Sequence, residues 1–130
     1  MNFTIEELTR SNIAKKEKIN NVPDSKSLEC LENLIKFCLQ PIRDKLNKPM
    51  IITSGYRSKA LNKRVKGAIN SQHLKGQAAD FHVNEMTIDE IINFIKNSGV
   101  KFDQLINEYN KWVHISYVKN KNRKQILKIN

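Results

Sequence analysis

Two residues seven positions apart, His73 and Asp80, lie in the segment Ser71-Gln72-His73-Leu74-Lys75-Gly76-Gln77-Ala78-Ala79-Asp80, with one glycine and two alanines between them. Neutral imidazole nitrogen and carboxylate oxygen are both zinc ligands, and a catalytic zinc site takes three protein ligands and leaves a fourth position to water. The small residues suit a place where backbone passes close to something else, and a bound ion is the expected neighbour. A third ligand has to come from elsewhere, and the chain has only two other histidines, His82 and His114. Taken alone the pattern is weak, because unrelated polar residues in loops and strands also produce a histidine-to-aspartate interval.

The elements around these residues decide how they meet. His114 lies in Trp112-Val113-His114-Ile115-Ser116, where two-residue alternation puts Trp112, His114 and Ser116 on one face of a strand, the rigid placement a ligand wants. Residues 77–83 have strand character too, with Ala78, Asp80 and His82 on one face and Ala79, Phe81 and Val83 on the core face. His82 is either a ligand or a partly exposed polar residue, and the second reading is preferred because one further ligand suffices. Residues 102–108 and 112–118 form a hairpin through Tyr109-Asn110-Lys111. A three-residue turn sets Glu108 opposite Trp112, on the sheet face of His114; a two-residue turn sets it opposite Val113, facing away.

The rest of the chain reads as scaffold. Thr4-Ile5-Glu6-Glu7 fits a capping box for a short helix to about residue 10, and residues 11–23 form a polar surface wrap with one helical turn. From Ser25 or Ser27 to Leu46, apolar residues from Leu28 through Leu31, Leu34, Cys38 and Ile42 recur every three or four positions, the stripe of the main core helix. Pro41 predicts a kink or break over residues 37–41. Residues 50–53 read as a buried strand, Gly55 as a tight change of direction, and Ser58 as the cap of a short helix through Val65. Thr87-Ile88-Asp89-Glu90 is a second capping box, opening a helix with Ile88, Ile91, Ile92 and Ile95 inward and Gly99 as its stop. Residues 119–130 are a basic tail, with an edge strand over 125–129.

With 130 residues the chain is expected to be one domain over 1–118 with the tail part of the same unit. A composition of 39% hydrophobic and 28% charged residues excludes the disordered and membrane-spanning classes. The N-terminal residues lack the basic start and apolar core of a signal peptide, so synthesis in the cytoplasm is expected. Cys30 and Cys38 are eight residues apart in a helical pattern, about 12 Å along its axis, so they read as core thiols beyond disulfide reach. The net charge of +10 predicts attraction to polyanions such as nucleic acid, anionic lipid or an anionic cell-wall polymer, or serves only solubility.

Four segments together carry a resemblance. Phe3-Thr4-Ile5-Glu6-Glu7-Leu8, Ser54-Gly55-Tyr56-Arg57-Ser58 with Leu61-Asn62, Ser71-Gln72-His73 through Gly76 to Ala79-Asp80, and Trp112-Val113-His114-Ile115-Ser116 resemble, in that order, the zinc D-alanyl-D-alanine carboxypeptidase family. This M15 group includes bacteriophage endolysins. The resemblance implies an α+β chain with the hedgehog/D,D-peptidase fold, helices packed on one side of a mostly antiparallel sheet. It implies one zinc held by His73, Asp80 and His114, and Arg57 as the cation that holds the substrate's carbonyl or carboxylate. It also implies an acidic general base shortly before the last histidine, and Glu108 is the only acid between Asp103 and His114. In some relatives that acid stands three residues before the histidine, whereas Glu108 stands six before it. Ser71 either binds substrate or shapes the turn around His73, and Tyr56 and Trp112 either stack on substrate or pack.

The implied chemistry is hydrolysis of a peptide bond in peptidoglycan, as a D,D-carboxypeptidase or an L,D- or D,D-endopeptidase, by a monomer acting at the cell wall after release through a holin. Glu108 would take a proton from water and Arg57 would steady the oxyanion. The competing reading from a different class is a non-catalytic wall-binding or phage structural module with the same fold. Nucleic-acid binding rests on charge alone and is not expected.

Overall fold

A computed structural model describes residues 1–130. Helix α1 (Ile5–Thr9) starts at Thr4, whose hydroxyl accepts from the Glu7 N–H, so only half of the expected capping box forms. Helix α2 (Asn12–Lys16) is the single turn in the wrapping segment and buries Ala14. Helix α3 (Ser25–Leu34) is capped by Asp24 and continues through a π-helical stretch, Ile35–Leu39, into α4 (Gln40–Leu46). Pro41 explains the widening. It has no N–H to donate, and its ring would press on the carbonyl of Phe37 in a regular α-helix. The chain responds by slipping one residue, so that the Gln40 N–H reaches Ile35 O, and the core stripe continues through Cys38 and Ile42 without a break. Cys38 belongs to the core, while Cys30 is only half-buried, because it flanks the stripe; both are free thiols.

Strand β1 (Ile51–Ser54) leads into α5 (Lys59–Arg64), a 3-10 turn (Gln72–Lys75) and β2 (Ala78–His82). Helix α6 (Ile88–Lys96) follows, with both halves of the Thr87–Glu90 capping box formed and Gly99 at φ +81 beyond its end. Strands β3 (Gln104–Glu108), β4 (Trp112–Ser116) and β5 (Gln125–Ile129) complete a five-stranded sheet in the order β1-β2-β4-β3-β5. Every pairing is antiparallel except β3 with β5. This is the expected α+β class with a mostly antiparallel sheet. The expectation of a buried β1 is corrected: it is an edge strand, with Ile51 and Thr53 exposed and only Ile52 of its apolar pair in the core.

One cluster joins α3 and α4 (Leu31, Leu34, Ile42) and α6 (Ile88, Ile91, Ile95) to the inward residues Ala79, Phe81, Leu105, Val113 and Ile115 of the sheet. Burying side chains of this size stabilises by roughly 1.5–3 kcal/mol each, so the helical layer and the sheet hold one another. Strand parity then sends Asp80, His114 and Glu108 to the opposite face. No helix is long and apolar enough to cross a membrane.

Two glycines let backbones touch. A Cβ at Gly55 would collide with the Leu8 carbonyl, which accepts the Tyr56 N–H at 2.7 Å. Gly76 has φ +73, and a Cβ there would meet the Ser27 carbonyl of α3. At Gly76, then, the close neighbour is the α3 backbone rather than an ion.

Candidate metal centre

Register alone brings two of the three sequence-nominated ligands together, since Asp80 on β2 lies directly opposite His114 on β4. His114 Nδ1 is 3.0 Å from Asp80 Oδ1. His73 arrives from the 3-10 turn, with its Nε2 3.3 Å from the same oxygen. All three side chains are buried, and one ligand atom from each lies within 4.8 Å of the others. The two imidazoles meet edge to face, with centroids 5.1 Å apart.

The turn that carries His73 is tied down atom by atom. Its Nδ1 is 2.7 Å from Gly55 O, and a carbonyl can only accept, so Nδ1 carries a proton and Nε2 is the nitrogen turned toward Asp80. The His73 N–H donates to Ser71 Oγ at 3.2 Å, and the His73 carbonyl accepts the Arg57 N–H at 3.0 Å. A ring nitrogen this close to a carboxylate oxygen requires a positive charge between them, either a proton on the nitrogen or a metal cation bound by both. Two nitrogens and one oxygen converging in this way form a donor set that fits zinc.

Burial has the largest single effect on Asp80 and raises its pKa. The hydrogen bonds and charges of His114 and His73 together outweigh it, so the carboxyl is held well below the usual range and stays ionised. Arg57 adds a cation at the other oxygen, with Nη2 3.8 Å from Asp80 Oδ2. Its Nη1 donates to Asn62 Oδ1 at 3.3 Å, and the buried Asn62 amide in turn donates to Ala68 O at 3.0 Å. Asn62 therefore fixes both the guanidinium and the loop beside it. The motif Leu61-Asn62 signalled its presence, but its contact partners lie in a loop whose path spacing does not specify.

Glu108 stands on the other flank. The turn has three residues, with Glu108 opposite Trp112, so the carboxylate faces the side of the sheet that carries His114. Its Oε1 is 3.8 Å from His114 Nδ1, and its Oε2 accepts the Trp112 indole N–H at 3.0 Å.

The remaining nominated residues are placed as follows. The Ser71 hydroxyl is engaged in the turn around His73. Tyr56 is buried in the core cluster, and that burial raises its phenol pKa. Trp112 lies edge-on to Tyr109, with centroids 5.8 Å apart. His82, at the end of β2, is half-buried and outside the three-residue cluster. Arg57 also lines a cleft of about 580 Å³ together with residues 53–56, Glu7, Arg10 and Asn12, which none of the three nominated ligands enters.

A family model described as peptidase M15 matches residues 1–116, which takes in every residue of this site. No curated relative matches the chain.

Proposed function

This chain belongs to the peptidase M15 family of zinc-dependent hydrolases, and on that premise we propose that it cleaves peptide bonds in bacterial peptidoglycan, in a stem peptide or a cross-link. The observation that carries this reading is the convergence of His73, Asp80 and His114, with a carboxylate on one flank and a guanidinium on the other.

His73 would ligate through Nε2, His114 through Nδ1 and Asp80 through its carboxylate. Zinc in such a site supplies a Lewis acid that acidifies water and polarises a carbonyl. Glu108 takes the proton from the attacking water. Arg57 stabilises the negative charge that develops on the carbonyl oxygen, and Glu108 then delivers the proton to the leaving amine. The same hydrolysis delivered to the wall from inside a cell would be lytic, an endolysin-like role.

The test is mass spectrometry of products from a defined cross-linked muropeptide, beside zinc stoichiometry. One zinc per chain is expected, lost in His73→Ala, Asp80→Ala and His114→Ala together with all cleavage. Release of a single D-alanine identifies a carboxypeptidase, and a split cross-link an endopeptidase. Zinc bound without any cleavage would overturn the reading in favour of a wall-binding module.

A further inference from the structure

We propose that Asp103, locked by Arg123, is a positioning residue for the metal centre, so that the tail beyond the family match sets how firmly His73 and His114 are held. The inference rests on the metal-binding reading above.

Asp103 is only 2% exposed, yet it stays ionised because Arg123 holds its pKa down at about 2. Four hydrogen bonds converge on its carboxylate. Arg123 donates from its backbone N–H at 2.9 Å, from Nε at 3.0 Å and from Nη2 at 2.7 Å, and Gln72 donates from Nε2 at 2.9 Å. The forked pair from Arg123 is the strong, directional kind that a lysine cannot reproduce. The backbone of Asp103 is engaged as well: its N–H donates to Ser116 O at 2.7 Å, and its carbonyl accepts the Gln125 N–H at 2.9 Å.

These contacts join three parts of the chain at one residue. Ser116 ends β4, two positions after His114; Gln72 opens the turn, one position before His73; Arg123 and Gln125 belong to the tail. Gln72 is held by little else through its side chain, because its Oε1 is buried without a partner. Turning the amide over would set that oxygen against the Asp103 carboxylate, so the bond to Asp103 determines how Gln72 lies. The far end of the turn is pinned too, since the Gln77 N–H donates to Gln72 O at 3.1 Å and Gln77 O accepts the Tyr117 N–H at 2.9 Å. Without the Arg123 side chain, the buried carboxylate loses two of its four donors and its countercharge, which draws it toward water and loosens its hold on Gln72. Groups that hydrogen-bond a metal ligand directly typically change metal affinity about 10- to 100-fold, and Asp103 acts one contact further out, through Gln72.

The experiment is chelator-competition measurement of zinc affinity on the full chain, with thermal unfolding of the metal-free forms in parallel. Arg123→Ala is expected to weaken zinc binding by up to about tenfold, the lower end of the range for direct partners of a ligand, with Arg123→Lys between it and the wild type. Gln72→Ala, which spares the Arg123–Asp103 pair, is expected to weaken it as well, and the two losses should fall short of adding in the double variant. Reduced thermal stability with unchanged zinc affinity in Gln72→Ala would overturn the proposal, and this variant decides even where Arg123→Ala does not fold. If the wild type binds no zinc, or His73→Ala binds as much, the metal-centre reading itself fails.

Discussion

Glu108 and Trp112 face each other across a three-residue turn, and the Trp112 indole N–H donates to Glu108 Oε2 at 3.0 Å while Oε1 lies 3.8 Å from His114 Nδ1. One carboxylate oxygen is held by the indole, and the other is left toward His114. As the proposed base, Glu108→Gln should retain zinc and lose about 10²–10⁴-fold in turnover. Trp112→Phe keeps an aromatic ring but removes the donor, so kcat should fall while KM and zinc content stay near wild type. Steady-state kinetics with metal analysis checks both, and wild-type turnover in Glu108→Gln would require a different base.

Arg57 is expected to act on the transition state rather than on the metal. Arg57→Ala should lower kcat about 10²–10³-fold with one zinc still bound. Arg57→Lys should recover little, because the Asn62 contact and the approach to Asp80 use different nitrogens of one planar group. A large loss of zinc in either variant, measured by metal analysis, would instead place Arg57 among the groups that hold Asp80.

Gly55 couples packing to the site. A methyl group there meets the Leu8 carbonyl, so Gly55→Ala should cost about 1–3 kcal/mol. The Gly55 carbonyl also orients His73, so zinc affinity should fall in the same variant. Thermal unfolding and chelator competition measure the two effects separately.

Acid sensitivity follows from Asp103. Its pKa is lowered on folding from 3.8 to about 2, so its ion pair stabilises the fold fully above about pH 4 and loses that contribution as pH falls through 2. Arg123→Ala should therefore be less stable than wild type at pH 6, with the gap narrowing between pH 4 and pH 2. Denaturant unfolding across that range checks the sign, and a constant gap would show that Asp103 ionisation is not responsible.

Local periodicity made much of this fold legible. The inward face of α6 and its capping box follow from Thr87, Glu90 and the isoleucines alone, and the sheet face of Glu108 follows from turn length. The grouping of His73, Asp80 and His114 was readable from ordered motifs. Contacts between distant segments were not. Nothing near Arg123 announces that its partner is Asp103, and nothing in residues 125–129 says that the strand runs parallel to β3. The edge position of β1 was hidden because Ile51 and Ile52 look alike in sequence, although only Ile52 meets the core. Likewise, Pro41 announced a disturbance, but the π-helical form it took depends on keeping both Cys38 and Ile42 buried.

The parallel pairing of β5 with β3 also bears on the order of assembly. Ribosomal synthesis delivers Asp103 before Arg123, so the hairpin of β3 and β4 can close while the carboxylate is still open to water. Its burial waits for the tail to cross back and dock. Docking of residues 125–129 thus seals the sheet from its outer edge, and on the proposal above it is this step that makes the proposed metal ligands rigid.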